Sequence, residues 1–167
     1  MIEAHEIVQR LWQGSQPATG SKLAKRGFDA VVLCAREYQP PRSYFPGVQV
    51  LHAPNEDDPL FPMSKEELET AVWAATRVHG LLEQGKKVLV TCMAGINRSG
   101  LVVALSLHKT FGYSGQSCID IVRDRRLLRD GVALRNPQFV DALLRLPGKD
   151  VTPDAIRLPG IRPILLP

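Results

Sequence analysis

Thr91-Cys92-Met93-Ala94-Gly95-Ile96-Asn97-Arg98-Ser99-Gly100 joins two stretches of different character. Before it, Lys87-Val88-Leu89-Val90 predicts a short buried strand; after it, Leu101 to Phe111 is rich in apolar residues and predicts a helix. A strand that ends in a tight small-residue loop and enters a helix gathers backbone N–H groups around one point. That point lies at the positive end of the helix dipole, so the segment is built to hold an anion. A thiol at the first loop position sets it apart from a loop that only binds nucleotide phosphates. Taken singly, Cys92 passes for a small core residue, Arg98 for a surface charge and Gly95 for a turn residue. Their combination at a strand-to-helix junction argues for chemistry.

The residue types match that chemistry. A free thiol ionises near about pH 8.5, and only the thiolate is a competent nucleophile. Loop N–H dipoles, the helix N-terminus and the Arg98 guanidinium all favour negative charge. Arg98 can also grip two phosphate oxygens with its planar fork. In phosphoryl transfer the charge spreads over three equatorial oxygens, which a cradle of N–H groups plus one arginine fits. Met93, Ala94, Gly95, Ile96 and Asn97 supply the cradle, and Ser99 can donate a hydrogen bond to the departing sulfur. Gly95 lets the backbone turn inward, and Gly100 lets the helix approach the strand.

The segment resembles the signature of cysteine-dependent protein tyrosine phosphatases, and its surroundings resemble their compact dual-specificity branch. Leu11-Trp12-Gln13-Gly14-Ser15-Gln16-Pro17, within Ile7 to Ser15 and just beyond, is similar to the branch's opening strand and turn. Phe28 to Cys34 is similar to its next strand. Arg123 to Arg126 and Asn136-Pro137-Gln138-Phe139 are similar to its C-terminal helical pair. The likeness covers residues 6 to 145. One position departs from the pattern: Thr91 stands where the family usually has a histidine that helps orient the loop and lower the cysteine pKa. A threonine hydroxyl can hydrogen-bond there but brings no charge.

Such a reaction needs an acid for the leaving oxygen and then a base for water. Val50 to Pro59 begins as a strand and becomes a proline-punctuated acidic loop. The resemblance places the acid at Asp57, with Asp58 next in order and Glu56 after it. A solvated acidic turn is the alternative for this loop. The absence of a G-x-S-x-G elbow disfavours a serine hydrolase.

Length and composition frame the expectation. A chain of 167 residues suits one domain with a proper core. Capping residues mark further helices: Ser64 with Glu67 before Leu68, Ala71, Val72, Ala75, Val78 and Leu82; Ser114; and Asn136 with Pro137. Gly85 closes the first of these. The expected fold is α/β, a central mainly parallel sheet flanked by helices on both faces, with the phosphate loop at the carboxyl end of a central strand. Residues 1–146 form the expected catalytic domain and 147–167 a proline-rich tail, draped or free. Cys34, Cys92 and Cys118 are too few and too scattered for a disulfide framework or a zinc ribbon, which suggests a reducing, cytoplasmic setting. No apolar leader or membrane-length stretch is present in the sequence given, and the net charge of +4 falls short of a dedicated nucleic-acid binder.

Other features receive plainer readings. Arg123, Arg125, Arg126, Arg129 and Arg135 read as a solvated helix face rather than a patch for acidic substrates. His52, His79 and His108 lack metal-ligand spacing, and no metal or cofactor is expected. Trp12 and Trp73 read as core anchors. Cys34 and Cys118 read as buried, inert thiols. The expected activity is metal-independent hydrolysis of phosphotyrosine, with phosphoserine and phosphothreonine as further candidates, on phosphorylated proteins by a monomer. The same chemistry on an RNA 5′-phosphate or a phosphoinositide is an alternative, although the loop lacks the basic residues of lipid-directed relatives. A phosphopeptide-binding pseudophosphatase is a third reading, opposed by the retention of Cys92, Arg98 and Asp57. A sulfurtransferase would need neither Asp57 nor Ser99.

Overall fold

Apolar runs without alternation predict strands covered on both faces, and β3 (Ala30–Ala35) and β5 (Val88–Thr91) are buried at every position. The computed structural model describes residues 2–156 and 164–166. Its sheet has the order β4-β3-β5-β2-β1-β6. Here β1 is Ile2–Val8, β2 is Leu11–Gly14, β4 is Gln49–Asn55 and β6 is Ile164–Leu166. β2, β5, β3 and β4 are mutually parallel, and β1 runs antiparallel to both β2 and β6. The four parallel strands therefore end at the same edge, at Gly14, Thr91, Ala35 and Asn55.

The helices are α1 (Lys22–Lys25), α2 (Lys65–Glu83), α3 (Arg98–Phe111), α4 (Gly115–Arg125) and α5 (Pro137–Leu144). Where strand–helix alternation predicts helices on both faces, α2 to α5 all pack on one. Their core contains Ala71, Val78, Leu101, Val103, Ile121 and Leu143 against Leu11, Val32, Val88 and Val90. On the opposite face Leu23 of the one-turn α1, Phe28 and Phe45 pack around Trp12, Val31 and Leu89, with Ala18, Tyr38 and Val48 partly buried against them. The reason lies in the two connections on that side. They carry Pro17, Gly20, Gly27, Pro40, Pro41, Pro46 and Gly47, which interrupt any long helix.

The predicted caps form. Ser64 Oγ accepts from Glu67 N at 3.1 Å while Glu67 Oε2 accepts from Ser64 N at 2.7 Å. Ser114 and Asn136 cap α4 and α5 through Ser117 N and Gln138 N. The core face of α2 is shifted from the predicted one. Ala71, Ala74, Ala75 and Val78 are buried, whereas Leu68 and Val72 are exposed. Trp73 is likewise 45% exposed and is no core anchor; Trp12, at 7%, is one.

Part of the predicted tail, 157–163 and 167, lies outside the described residues. The rest lies on the domain. Lys149 exchanges backbone hydrogen bonds with Gly112 and Ser114, and Arg125 Nη2 donates to the carbonyls of Pro153 and Ile156. β6 adds to the sheet beside β1, pairing Ala4 with Ile164. Among the described residues, no helix is long and apolar enough to cross a membrane.

Candidate active site

The loop after β5 is shaped by where its carbonyls point. Met93 O accepts from Gln16 N at 3.1 Å, and Ile96 O accepts from Leu134 N at 3.1 Å. Gly95 O accepts from Gln13 Nε2 at 3.1 Å and Arg126 Nε at 3.0 Å. All three carbonyls are thus held outward. A trans peptide sets its N–H opposite its C=O, so the amides of Ala94, Ile96 and Asn97 turn the other way, into the loop. The result is the inward array of donors that an anion site requires.

Gly95 is required where it stands. Its φ is +67°, and a Cβ there would lie 2.5 Å from the Gly14 carbonyl carbon. The loop therefore packs backbone to backbone on the end of β2. Gly100 serves a side-chain contact rather than the strand approach expected of it: a Cβ would meet Leu134 Cγ at 3.0 Å and Gln13 Nε2 at 3.3 Å. Leu134 adopts φ 54°, left-handed for a branched side chain. That costs about 1–2 kcal/mol, and its amide is the donor that fixes Ile96 O.

Cys92 is buried at the strand end, with Sγ 3.3 Å from Ser99 Oγ. Ser99 Oγ also accepts from Gln13 Nε2 at 3.3 Å, which leaves its own hydrogen for the sulfur. Arg98 is buried, and its end fork is taken by Glu37: Nη1 and Nη2 each donate to one carboxylate oxygen. Nη1 also donates to Asn55 O at 3.2 Å. The Nε of Arg98 is buried and takes no partner among the described residues. The guanidinium is therefore pinned at its tip by Glu37, with Nε the one of its nitrogens left without a partner among the described residues. Burial works against the Arg98 cation. Glu37, the Cys92 thiolate and Asp57 outweigh it and hold the guanidinium above its ordinary value. In return the Arg98 hydrogen bonds pull Glu37 down to about 2.

Asp57, on the loop after β4, reaches the loop after β5. Its Oδ2 accepts from Asn97 Nδ2 at 3.0 Å and its Oδ1 from Asn136 Nδ2 at 2.8 Å. Asp58 turns back on its own loop instead, accepting from Leu60 N at 2.8 Å. Glu56 points to Arg36 at 3.0 Å. Of the three acidic candidates, only Asp57 is tied to the phosphate loop. Thr91 Oγ1 donates to Val32 O at 3.0 Å across the β5–β3 seam, so it braces the sheet and does not turn to the sulfur.

Gln13, Glu37, Asn136 and Arg126 were not singled out by the sequence as site residues. Gln13 lies near the carboxyl end of β2 and Glu37 just past that of β3, strands whose ends meet at the site, which is the signal that topology supplies. The arginine stretch is the solvated face expected only in part, at Arg129 and Arg135. Arg125 and Arg126 are buried, and Arg123 donates to the carbonyls of Ala133 and Leu134. Helical periodicity cannot reveal this for Arg126, which lies just past the end of α4 and turns inward. Cys34 and Cys118 are buried thiols as expected. Burial, with the Cys92 charge beside it, pushes Cys34 well above its ordinary range, and burial lifts Cys118 to about 12. No cluster of metal-ligating side chains occurs among the described residues.

Comparison with known proteins fits this geometry. The model of the dual specificity phosphatase catalytic domain matches residues 11–146. A protein of Invertebrate iridescent virus 6, provisionally named tyrosine phosphatase 123R, is 28% identical over 75% of this chain and 81% of its own length. A Dictyostelium discoideum protein, provisionally named a dual specificity protein phosphatase, is 30% identical over 81% of this chain but only 47% of its own length. The crystal structure of Tk-PTP in the active form superposes with a TM-score of 0.70 at 30% identity, covering 86% of this chain and 95% of that one. Human DUSP28 gives 0.69 at 26% identity, covering 86% and 91%. A thiol and an arginine at the two ends of a loop of inward amides, on this sheet and across this span of sequence, place the chain in the dual specificity phosphatase family.

Proposed function

We propose that the chain hydrolyses phosphotyrosine, and phosphoserine or phosphothreonine where the pocket admits them, on protein substrates through a cysteinyl-phosphate. The Cys92 thiolate attacks phosphorus, and the P–S bond forms as the bond to the leaving oxygen breaks. Asp57 gives that oxygen its proton. Both Asp57 oxygens accept amide hydrogens in the resting arrangement, so one contact is released when the acid is loaded. In the second step the Asp57 carboxylate takes a proton from water, the oxygen attacks phosphorus, and the thiolate leaves with the Ser99 hydrogen directed at it. Arg98 and the amides of the loop hold the equatorial oxygens throughout. The observation that carries this reading is the Arg98 Nε, unpartnered among the described residues and within electrostatic reach of Cys92, while Glu37 holds the tip of the guanidinium. Three free cysteines support a reducing cytoplasmic setting, and a monomer acting on phosphoproteins is the simplest working unit.

The test is Cys92→Ser. Turnover of a phosphotyrosine peptide should vanish while inorganic phosphate still binds, because a serine hydroxyl is scarcely ionised at neutral pH. Substantial residual turnover would exclude the covalent route. The acid is tested by leaving-group dependence. Asp57→Asn should slow alkyl phosphates by about a hundredfold or more and barely affect activated aryl phosphates; Asp58→Asn should do neither. If neither variant slows alkyl phosphates, the acid lies elsewhere, and RNA 5′-phosphates gain ground as substrates.

A further inference from the structure

Two of the outward carbonyls of the phosphate loop are fixed by backbone amides, those of Gln16 and Leu134. Gly95 O differs. Its two donors are side chains, Gln13 Nε2 and Arg126 Nε. It also belongs to the residue with the greatest backbone freedom, at φ +67°. Of these three peptides, the one between Gly95 and Ile96 is therefore the unit whose orientation depends on side chains behind it. If it turned over, a donor in the anion site would be exchanged for a carbonyl dipole.

Arg126 is placed to hold that peptide. It lies just past the end of α4, is 1% exposed, and has no carboxylate within ion-pair distance among the described residues. Its Nη1 meets His5 Nδ1 at 2.6 Å. An arginine can only donate, so His5 accepts through Nδ1 and carries its proton on Nε2, toward Glu3 at 3.7 Å. Burial and the Arg126 charge both lower the His5 pKa, against the opposing effect of Glu3, consistent with a neutral ring. Burial also weighs against the Arg126 cation, and the charges of Glu3 and the Cys92 thiolate offset part of that. A buried guanidinium is thus held between β1 and the loop, within electrostatic reach of the sulfur. Gln13, from the end of β2, closes the other side and orders the Ser99 hydroxyl with the same amide nitrogen.

We infer that Arg126 and Gln13 are positioning residues that lock the Gly95–Ile96 peptide with its N–H turned into the phosphate site, His5 serving as the backstop for Arg126. Arg126 touches no reacting atom in this arrangement; it acts through the loop. The inference rests on the phosphatase reading for its consequence in turnover, but the lock itself can be read without turnover.

The experiment follows the Ile96 backbone amide by ¹H–¹⁵N NMR as inorganic phosphate is added to the full chain, together with phosphate inhibition, kcat and KM. In the wild type the Ile96 resonance should move with phosphate. In Arg126→Met, which keeps much of the side-chain length and loses the donors, that response should disappear. Phosphate inhibition should weaken about tenfold or more, with kcat falling further than KM rises, because a donor to the transferring group matters most in the transition state. Arg126→Lys should not rescue, since lysine has no donor at the Nε position aimed at Gly95 O. If Arg126→Met does not fold, Gln13→Leu takes its place: it removes the second donor from the same carbonyl and should weaken phosphate inhibition in the same direction. A folded Arg126→Met, or failing that Gln13→Leu, with a normal Ile96 response and normal phosphate inhibition overturns the lock. A wild-type chain that binds phosphate through Ile96 but turns over no phosphomonoester overturns the proposed function and leaves the lock standing.

Discussion

In the proposed reaction the Arg98 guanidinium has two duties, holding Glu37 and holding the phosphate. Glu37 holds the tip, and because the pair pulls the Glu37 carboxyl to about 2, the clamp stays charged throughout the neutral range. The sign follows from that depression. The pair's contribution is fully present above the ordinary glutamate value of 4.5 and is lost as pH falls toward about 2. Glu37 is half exposed, so solvent discounts the stability involved; the value of the contact lies in orientation. Lysine can keep the charge but cannot meet a carboxylate and a phosphate with separate nitrogens. Arg98→Lys should therefore lower kcat by about a hundredfold with little change in thermal midpoint, which steady-state kinetics beside a melting curve will show. Near-normal kcat in that variant would mean that Arg98 does not grip the phosphate.

At the scale of elements, α5 is where stability and chemistry meet in one residue. Asn136 caps the helix by accepting from Gln138 N at 2.9 Å, and with its amide nitrogen it holds Asp57 Oδ1 at 2.8 Å and Asp58 O at 3.2 Å. Serine is as good a cap as asparagine but has no amide to reach across. Asn136→Ser should keep the thermal midpoint within a few degrees while slowing alkyl phosphates more than activated aryl phosphates, since it loosens the Asp57 loop and spares the phosphate loop. Equal slowing of both substrates would count against a tether specific to the acid.

The same residue shows what the sequence makes legible. Asn136-Pro137 announces a helix start, just as Ser64 and Glu67 do, because capping is local. The strand–loop–helix at Cys92 is legible for the same reason: every group it needs is contiguous. Gln13, Glu37 and Arg126 are not legible, because each reaches the site from a different element and only the meeting of four parallel strand ends brings the first two there. Trp73 misleads for a related reason. The face that α2 buries is set by close packing of its small residues Ala71, Ala74 and Ala75 on the sheet and its neighbours, not by where the largest apolar side chain falls.

Over the whole molecule the two faces of the sheet are unequal, four helices on one and a thin cover of loops on the other. Each face carries one tryptophan. Trp12 lies under the thin cover, edge-on to Phe28 at 5.9 Å, with the Lys87 ammonium 5.0 Å from its ring. Trp73 stands in solvent on α2. The two should therefore emit differently: Trp73 at longer wavelength and readily quenched by acrylamide, Trp12 at shorter wavelength and shielded. Trp73→Phe should shift the emission maximum to the blue and remove the easily quenched component without affecting turnover; an unchanged spectrum would place Trp12 in water as well. What remains is a single tryptophan on β2, one residue from the glutamine that holds both Gly95 and Ser99, so the light emitted by the thin face becomes an optical report on the phosphate loop.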